Sequence, residues 1–248
     1  MALKVKVLGI SASIRHGNSE YLLRKALEAA KSVAPDLIET EFYSMAGRII
    51  NPCIHCLSCV DHRDCIIKDD FDELLEKWLE ADAIIYSIPV FHLGLPAHFK
   101  AFLDRLGQTV FARYLDRPPR FMKVIGVITQ GTDLGGGEEL TAMHIIAHAL
   151  VMGCIPVAGD PPESYVGAIG WTKRSPMPDA FERMLSEGDF DSQVTLDAAV
   201  SLGRRVAFMA LIVKNGVYAL RDILGKELSY SWFIEKIMNE LRGGSTEE

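Results

Sequence analysis

The chain has 248 residues, 49% of them apolar and 24% charged, which is ordinary globular composition and excludes a disordered tail, a collagen-like chain or a small disulfide scaffold. At this length roughly 70–75% of the unfolded surface is buried on folding, so no covalent staples are required. Lys plus Arg is 26 and Asp plus Glu is 33, and the net charge of −7 disfavours unaided nucleic-acid binding and docking on anionic lipid.

Lys4 to Gly9 reads as a β-branched strand. The opening residues are too short and too interrupted for a secretory signal, so a cytoplasmic location is expected. A polar turn, Ser11 to Ser19, precedes a helix capped by Asn18 or Ser19 with Leu22, Leu23, Ala26, Leu27 and Ala30 on one stripe. Ile38, Thr40 and Phe42 alternate with polar neighbours at strand period. A cysteine loop follows, from about Asn51 to Lys68. Asp69, Asp70, Asp72 and Glu73 then open a helix, as the helix dipole favours. Ala83 to Ile88 is apolar apart from Ser87, as expected for a strand covered on both faces. Pro89 to Pro96 is a loop, and Pro96 starts a helix carrying Phe99, Phe102, Leu103 and Leu106. Val124 to Thr129 is a fourth strand, Gly131 to Gly137 a glycine-rich loop, Glu138 to Met152 a helix and Cys154 to Ala158 a fifth strand.

Five strands alternating with four helices imply an α/β fold with a doubly wound parallel sheet. Residues 161–248 add an irregular, proline-containing segment and then two helices broken near Asn215-Gly216. Val206–Val213 and Tyr230–Phe233 in that extension read as assembly surface, and their composition alone fits packing within the chain equally well. No apolar run approaches the roughly 20 residues of a membrane span.

Ligands of open parallel sheets bind beyond the carboxyl ends of the strands. Three loops leave such ends. The first, Ser11-Ala-Ser13-Ile-Arg15-His-Gly17-Asn18-Ser19, brings hydroxyls, an arginine and a glycine to a helix start, which suits a phosphate. It carries neither a Gly-x-Gly-x-x-Gly fingerprint nor a Walker loop, so a mononucleotide fits better than a dinucleotide. Read as local structure alone, it is a polar turn with a helix cap. The second loop, Pro89 to Gly94, offers Phe91 and backbone amides to a flat heterocycle. The third, Thr129 to Gly137, has few side chains, so its backbone can approach a ligand closely.

Cys53, Cys56, Cys59 and Cys65 crowd one window, and Cys154 stands apart among apolar neighbours as a core residue. Such clustering argues against a disulfide framework and for a metal. Thiolates are soft ligands for iron–sulfur clusters or zinc. A Cys-x2-Cys-x2-Cys run wraps three corners of a cubane, and a later cysteine can supply the fourth. Zinc sites more often show two separated Cys-x2-Cys pairs, and free thiols are the remaining reading. His144 and His148 share a helix face without the zinc-protease pattern and are expected at the surface or in a subunit contact.

Ser-x-Ser-x-Arg-x-Gly-Asn-Ser after the first strand, and Ile88 to Arg105, resemble the phosphate loop and the isoalloxazine loop of the NADPH-dependent FMN reductase branch of the flavodoxin-like fold. The likeness spans about residues 1–160. With the cysteine window added, the chain resembles the iron–sulfur flavoproteins, which carry FMN and a [4Fe–4S] cluster. That resemblance implies an FMN-binding domain with the cysteine loop at 51–68 inserted. It implies phosphate contacts from Ser11, Ser13, Arg15, Asn18 and Ser19. Pro89, Val90, Phe91, His92, Leu93 and Gly94 would border the flavin ring, and Thr129, Gly131 and Gly135 would form the opposite wall. Cys53, Cys56, Cys59 and Cys65 would ligate the cluster on the loop after the second strand. The implied activity is electron exchange between a one-electron carrier such as ferredoxin and a two-electron acceptor, in a homodimer or homotetramer. No acid–base residue is assigned. Two alternatives remain: an NAD(P)H-dependent FMN or quinone reductase with a structural zinc, and a non-enzymatic redox-sensing binding protein.

Overall fold

A computed structural model describes residues 2–243. Met1 and residues 244–248, the outer ends of the two expected segments, lie outside the described residues. The elements in chain order are β1 (Val5–Ser11), α1 (Asn18–Val33), β2 (Ile38–Ser44), α2 (Ser58–His62), α3 (Phe71–Glu80), β3 (Ala83–Pro89), α4 (Ala97–Arg113), β4 (Val124–Gly131) and α5 (Glu138–Val151). They continue as β5 (Ile155–Pro156), β6 (Ala168–Trp171), α6 (Ala180–Ser186), α7 (Phe190–Ala219), α8 (Arg221–Leu224) and α9 (Ser231–Gly243).

The sheet is parallel, in the order β2-β1-β3-β4-β5, with β6 also paired to β4. This is the expected flavodoxin-like doubly wound sheet with C-terminal helices. Every residue of β3 and β4 is buried, because helices cover both faces. On one face Leu8, Tyr86 and Val127 meet Phe71, Trp78, Phe102 and Ile145 of α3, α4 and α5. On the other, Val7, Ile85 and Ile128 meet Leu23 and Leu27 of α1 and Leu202 and Val206 of α7. The segment after residue 160 thus returns to the same core. Its far end is tied to the sheet by Asp82, which accepts from Lys6 N (2.9 Å) and Lys214 Nζ (2.7 Å) and also pairs with Lys236.

The structure corrects the fifth strand and the helix break, and decides between the two readings of the apolar runs. The fifth-strand position is shared: only Ile155–Pro156 pairs low on β4, where Pro156 has no N–H to continue the ladder. β6, from the segment read as irregular, pairs with Ile128 to Gly131 above it. Second, α7 runs through Asn215-Gly216 unbroken. Asn215 donates its side chain to Leu211 O (2.8 Å) and accepts from Leu3 N (2.8 Å), so tertiary contacts override its turn propensity. Third, Val206, Ala207 and Ala210 face the sheet and Phe233 is buried, so these apolar residues are core; Phe208 and Ile212 are the exposed ones.

Cys154 is buried as expected, and desolvation raises its thiol to about 12. His144 is exposed, but His148 is wedged against α4 near the Leu103 backbone, with a buried, unpartnered Nε2. Burial first, then the neighbouring His144, lowers its pKa to about 4. In the unfolded chain His148 takes its proton near 6.5, so between the two values the unfolded state binds more protons. Stability should therefore fall as pH drops from about 6.5 towards 4, by up to about 3 kcal/mol from this group. Urea midpoints at pH 7 and pH 4.5 should converge in His148→Gln relative to the native chain.

Candidate functional site

Two features share the carboxyl edge of the sheet. The first is a cavity of about 310 Å³ beyond β1, β3 and β4. Its floor is the loop between β1 and α1: Ser13, Ile14, Arg15, Gly17, Asn18 and Ser19 all line it. The Ser13 hydroxyl donates to Arg15 O (2.6 Å) and accepts from Arg15 N (3.2 Å), which turns the chain sharply. Gly17 then starts α1 at φ 153°, and a side chain there would meet Pro178 at 2.8 Å. The first N–H groups of a helix have no intrahelical acceptor, so the start of α1 offers free donors to an anion. Ser87 of β3 donates to Ser19 O (2.8 Å), and Gln130 of β4 donates to the Ser19 hydroxyl (3.1 Å). The helix start is thereby fixed to both strand ends.

Pro89, Val90 and Phe91 form one wall of this cavity, and Gln130, Gly131 and Thr132 another. Beyond Phe91 the chain makes a closed two-residue turn. Phe91 N donates to Gly94 O (2.9 Å) and Gly94 N to Phe91 O (3.0 Å). These two amides are therefore engaged inside the turn, and the N–H groups of His92 and Leu93 are the ones at its tip. His92 and Leu93 both have positive φ, 44° and 66°, a conformation normally given to Asn-Gly. The turn rests on the glycine-rich loop: a Cβ at Gly137 would fall on the Leu93 backbone.

Several expected residues sit elsewhere. Ser11 is fully buried in β1, where its O accepts from Met45 N, and it does not line the cavity. Thr129 is fully buried and donates to Glu138 O (3.0 Å). Asn18 lines the cavity, but its side-chain amide bridges Met177 O (2.8 Å) and Phe181 N (3.1 Å). Arg15 likewise donates to Pro176 O. Gly135 borders a neighbouring hollow of about 360 Å³ with Leu134 and Trp171, while His92, Leu93 and Gly94 stay outside the cavity lining. The cavity also has a wall absent from the sequence reading, Thr172 and Ser175, delivered by β6. The prolines Pro176 and Pro178 were the signal for it, since they fix a chain that folds back over the first loop.

The second feature is the cysteine loop after β2. Cys53, Cys56, Cys59 and Cys65 all border one small pocket, together with Arg105, Gln108 and Thr109 of α4. All are free thiols; Cys56 is exposed and the other three half-buried. Burial pushes the Cys59 thiol up, with smaller effects from Cys65, Cys53 and Cys56, while hydrogen bonds from Ser58 pull Cys56 down. His55, Leu57 and Arg63 hold left-handed backbone at φ 53°, 60° and 57°, a strain of order 1 kcal/mol or more at each. The strain is held by anchors on both sides. Arg63 donates to Ala112 O (2.7 Å), and Arg113 pairs with Asp64 (3.1 Å). Asp69 accepts from Asn51 N (2.9 Å), Phe71 N (3.0 Å) and Arg105 Nη1 (2.7 Å). Burial works against the Asp69 carboxylate, but the hydrogen bonds from Asn51, Arg105 and Phe71 outweigh it and keep its pKa low. Among the described residues no group of three or more His, Cys, Asp or Glu closes on a point that would hold one metal ion.

A family model described as NADPH-dependent FMN reductase matches residues 5–160. The chain belongs to that family. This FMN reductase family member is 35% identical over 218 residues to an "Iron-sulfur flavoprotein" of Methanocaldococcus jannaschii, covering 85% of this chain and 100% of that one. It is 36% identical over 171 residues to an "Iron-sulfur flavoprotein" of Methanosarcina thermophila, covering 67% and 83%. Among solved structures, the NAD(P)H:quinone oxidoreductase from Methanothermobacter marburgensis shares the fold, with TM-score 0.57 at 15% identity, over 82% of this chain and 99% of that one. The family member is accordingly a flavin-dependent oxidoreductase. Among its described residues no helix is long and apolar enough to cross a membrane.

The contact between the two loops of the first cavity is directly testable. Gly137 has φ 111°. Gly137→Ala should introduce about 1–3 kcal/mol of strain there. Amide hydrogen exchange across Phe91 to Gly94 should then quicken by about tenfold, the equivalent of about 1.4 kcal/mol.

Proposed function

We propose that the chain is an FMN- and [4Fe–4S]-containing electron-transfer flavoprotein. In this reading it exchanges electrons between a one-electron carrier such as ferredoxin and a two-electron acceptor. The observation that carries the proposal is that a phosphate-type helix start follows β1 and a four-cysteine pocket is built on the connection after β2, two connections that leave the carboxyl ends of adjacent strands. When bound, FMN supplies one- or two-electron chemistry and the cluster passes one electron at a time.

The residues fit FMN. A cavity of about 310 Å³ is within the usual range for small-ligand sites. Ser13 and Ser19 bring hydroxyls to the start of α1, and Arg15 brings a charge that can assist the bond to a phosphate. Pro89, Val90 and Phe91 on one side and Gly131 and Thr132 on the other suit a flat ring.

The donor set also fits a cluster. Zinc would need four sulfurs about 2.3 Å from one point. The tight Cys-x2-Cys-x2-Cys run with a fourth cysteine bordering the same pocket fits one sulfur per iron in a cubane. Cys53, Cys56, Cys59 and Cys65 would hold it, and α4 would shield its inner side. Free cysteines throughout support a reducing compartment such as the cytoplasm. Exposed Leu140, Met143 and Leu150 on α5, with Phe208 and Ile212 on α7, support a homodimer or homotetramer.

Two measurements test the proposal. Protein prepared without air should carry about four irons and four sulfides per chain, and Cys56→Ala or Cys59→Ala should abolish the cluster signal. Stoichiometric zinc without sulfide would instead leave an FMN or quinone reductase with a structural metal. Ser13→Ala/Ser19→Ala should weaken FMN binding to the apoprotein at least tenfold, a loss of about 1.4 kcal/mol, with unchanged far-UV circular dichroism. Unchanged flavin affinity would place the phosphate elsewhere.

A further inference from the structure

We infer that Arg105 is a positioning residue that raises the reduction potential of the proposed cluster, through a hydrogen bond aimed at the sulfur of Cys65. The inference rests on the cluster reading above. The step it affects adds one electron from a one-electron carrier to the cluster; no bond to Arg105 forms or breaks, and no proton moves.

The geometry is unusually constrained. Arg105 is 1% exposed and lies with its guanidinium 4.1 Å over the Phe71 ring. Nη1 donates to both oxygens of Asp69 at 2.7 Å and to Asn51 O at 3.3 Å. Nη2 donates to Ile67 O at 2.6 Å and to Cys65 Sγ at 3.4 Å. A guanidinium is a rigid planar fork. With Asp69, Asn51 and Ile67 fixing three of its four terminal N–H directions, the fourth has no freedom and points at Cys65. Asp69 is itself immobilised by Asn51 N, Asn51 Nδ2 and Phe71 N.

The ion pair with Asp69 offsets much of the guanidinium's charge, so the effect comes mainly from the oriented N–H. Hydrogen bonds to ligand sulfurs are one of the levers that set cluster potentials. A donor favours the more electron-rich, reduced state, and the potential rises. The arrangement also treats the cysteines unequally. Cys56 is exposed and takes its hydrogen bonds from nearby Ser58 and its own backbone, whereas Cys65 faces a buried cation from another element.

The test uses the full chain, prepared anaerobically with flavin and cluster. Arg105→Lys keeps a cation for Asp69, but one ammonium cannot also reproduce the fork to Ile67 O and Cys65. In an EPR-monitored redox titration the variant should show a lower cluster midpoint. The expected change is about tenfold in the reduced-to-oxidised ratio at fixed potential, or about 59 mV for one electron. Iron content and flavin midpoint should match the native protein. An unchanged cluster midpoint overturns the inference, and so does a lower iron count with an unshifted midpoint in the clusters that remain, since that is what a purely structural arginine would give. If the variant holds no cluster, the native protein decides: grown on ¹⁵N-arginine, its reduced cluster should show a ¹⁵N coupling in pulsed EPR, and absence of that coupling overturns the inference. A native protein without iron or sulfide overturns the cluster reading itself, and this inference with it.

Discussion

Parallel pairing forces every strand-to-helix connection onto one edge of the sheet. In this chain the connections after β1, β2, β3 and β4 all emerge there, and the first two build the cavity floor and the cysteine pocket. The opposite edge is left to stability. Asp82 with Lys6, Lys214 and Lys236 closes it, and the fully buried Lys123 lies between the Trp78 and Trp232 rings, where desolvation holds its pKa well below the ordinary lysine value.

Within the working edge, the two features are held differently. The cavity floor is held by neutral hydrogen bonds from strand ends, Ser87 and Gln130 to Ser19. The cysteine loop is held by charges: Arg105 with Asp69 at its base, and Arg63, Asp64 and Arg113 at its far end. Of these only Arg105 with Asp69 is a buried ion pair, the kind in which removing one partner typically costs about 3–5 kcal/mol. A loop with three left-handed residues needs anchors of that size.

Much of this was legible in the sequence. The strand and helix order follows from periodicity, and the grouping of the cysteines from their spacing. The motif Ser-x-Ser-x-Arg-x-Gly-Asn-Ser located the cavity floor. What escaped depended on distant contacts. Asn215 and Gly216 look like a break until Leu3 and Leu211 are seen to occupy the asparagine side chain. Asn18 looks like a helix cap or phosphate ligand, but its amide is engaged by Met177 and Phe181 far along the chain. Ser11 and Thr129 have the right residue types yet are buried, because both strands run two residues further than periodicity indicated. Arg105 sits in an amphipathic helix with nothing local to mark it as the partner of Asp69.

The clamp formed by Asn18, Gly17 and Arg15 on residues 176–181 also bears on the order in which the molecule is made. Domains form as the chain leaves the ribosome, from the N-terminus onward. The first strands can pair early, but the loop between β1 and α1 has no lid until Phe181 has emerged. A nascent chain that stops short of α6 therefore presents this loop open on one side. Completion of the cavity belongs to the last third of synthesis, although most of its lining is encoded in the first.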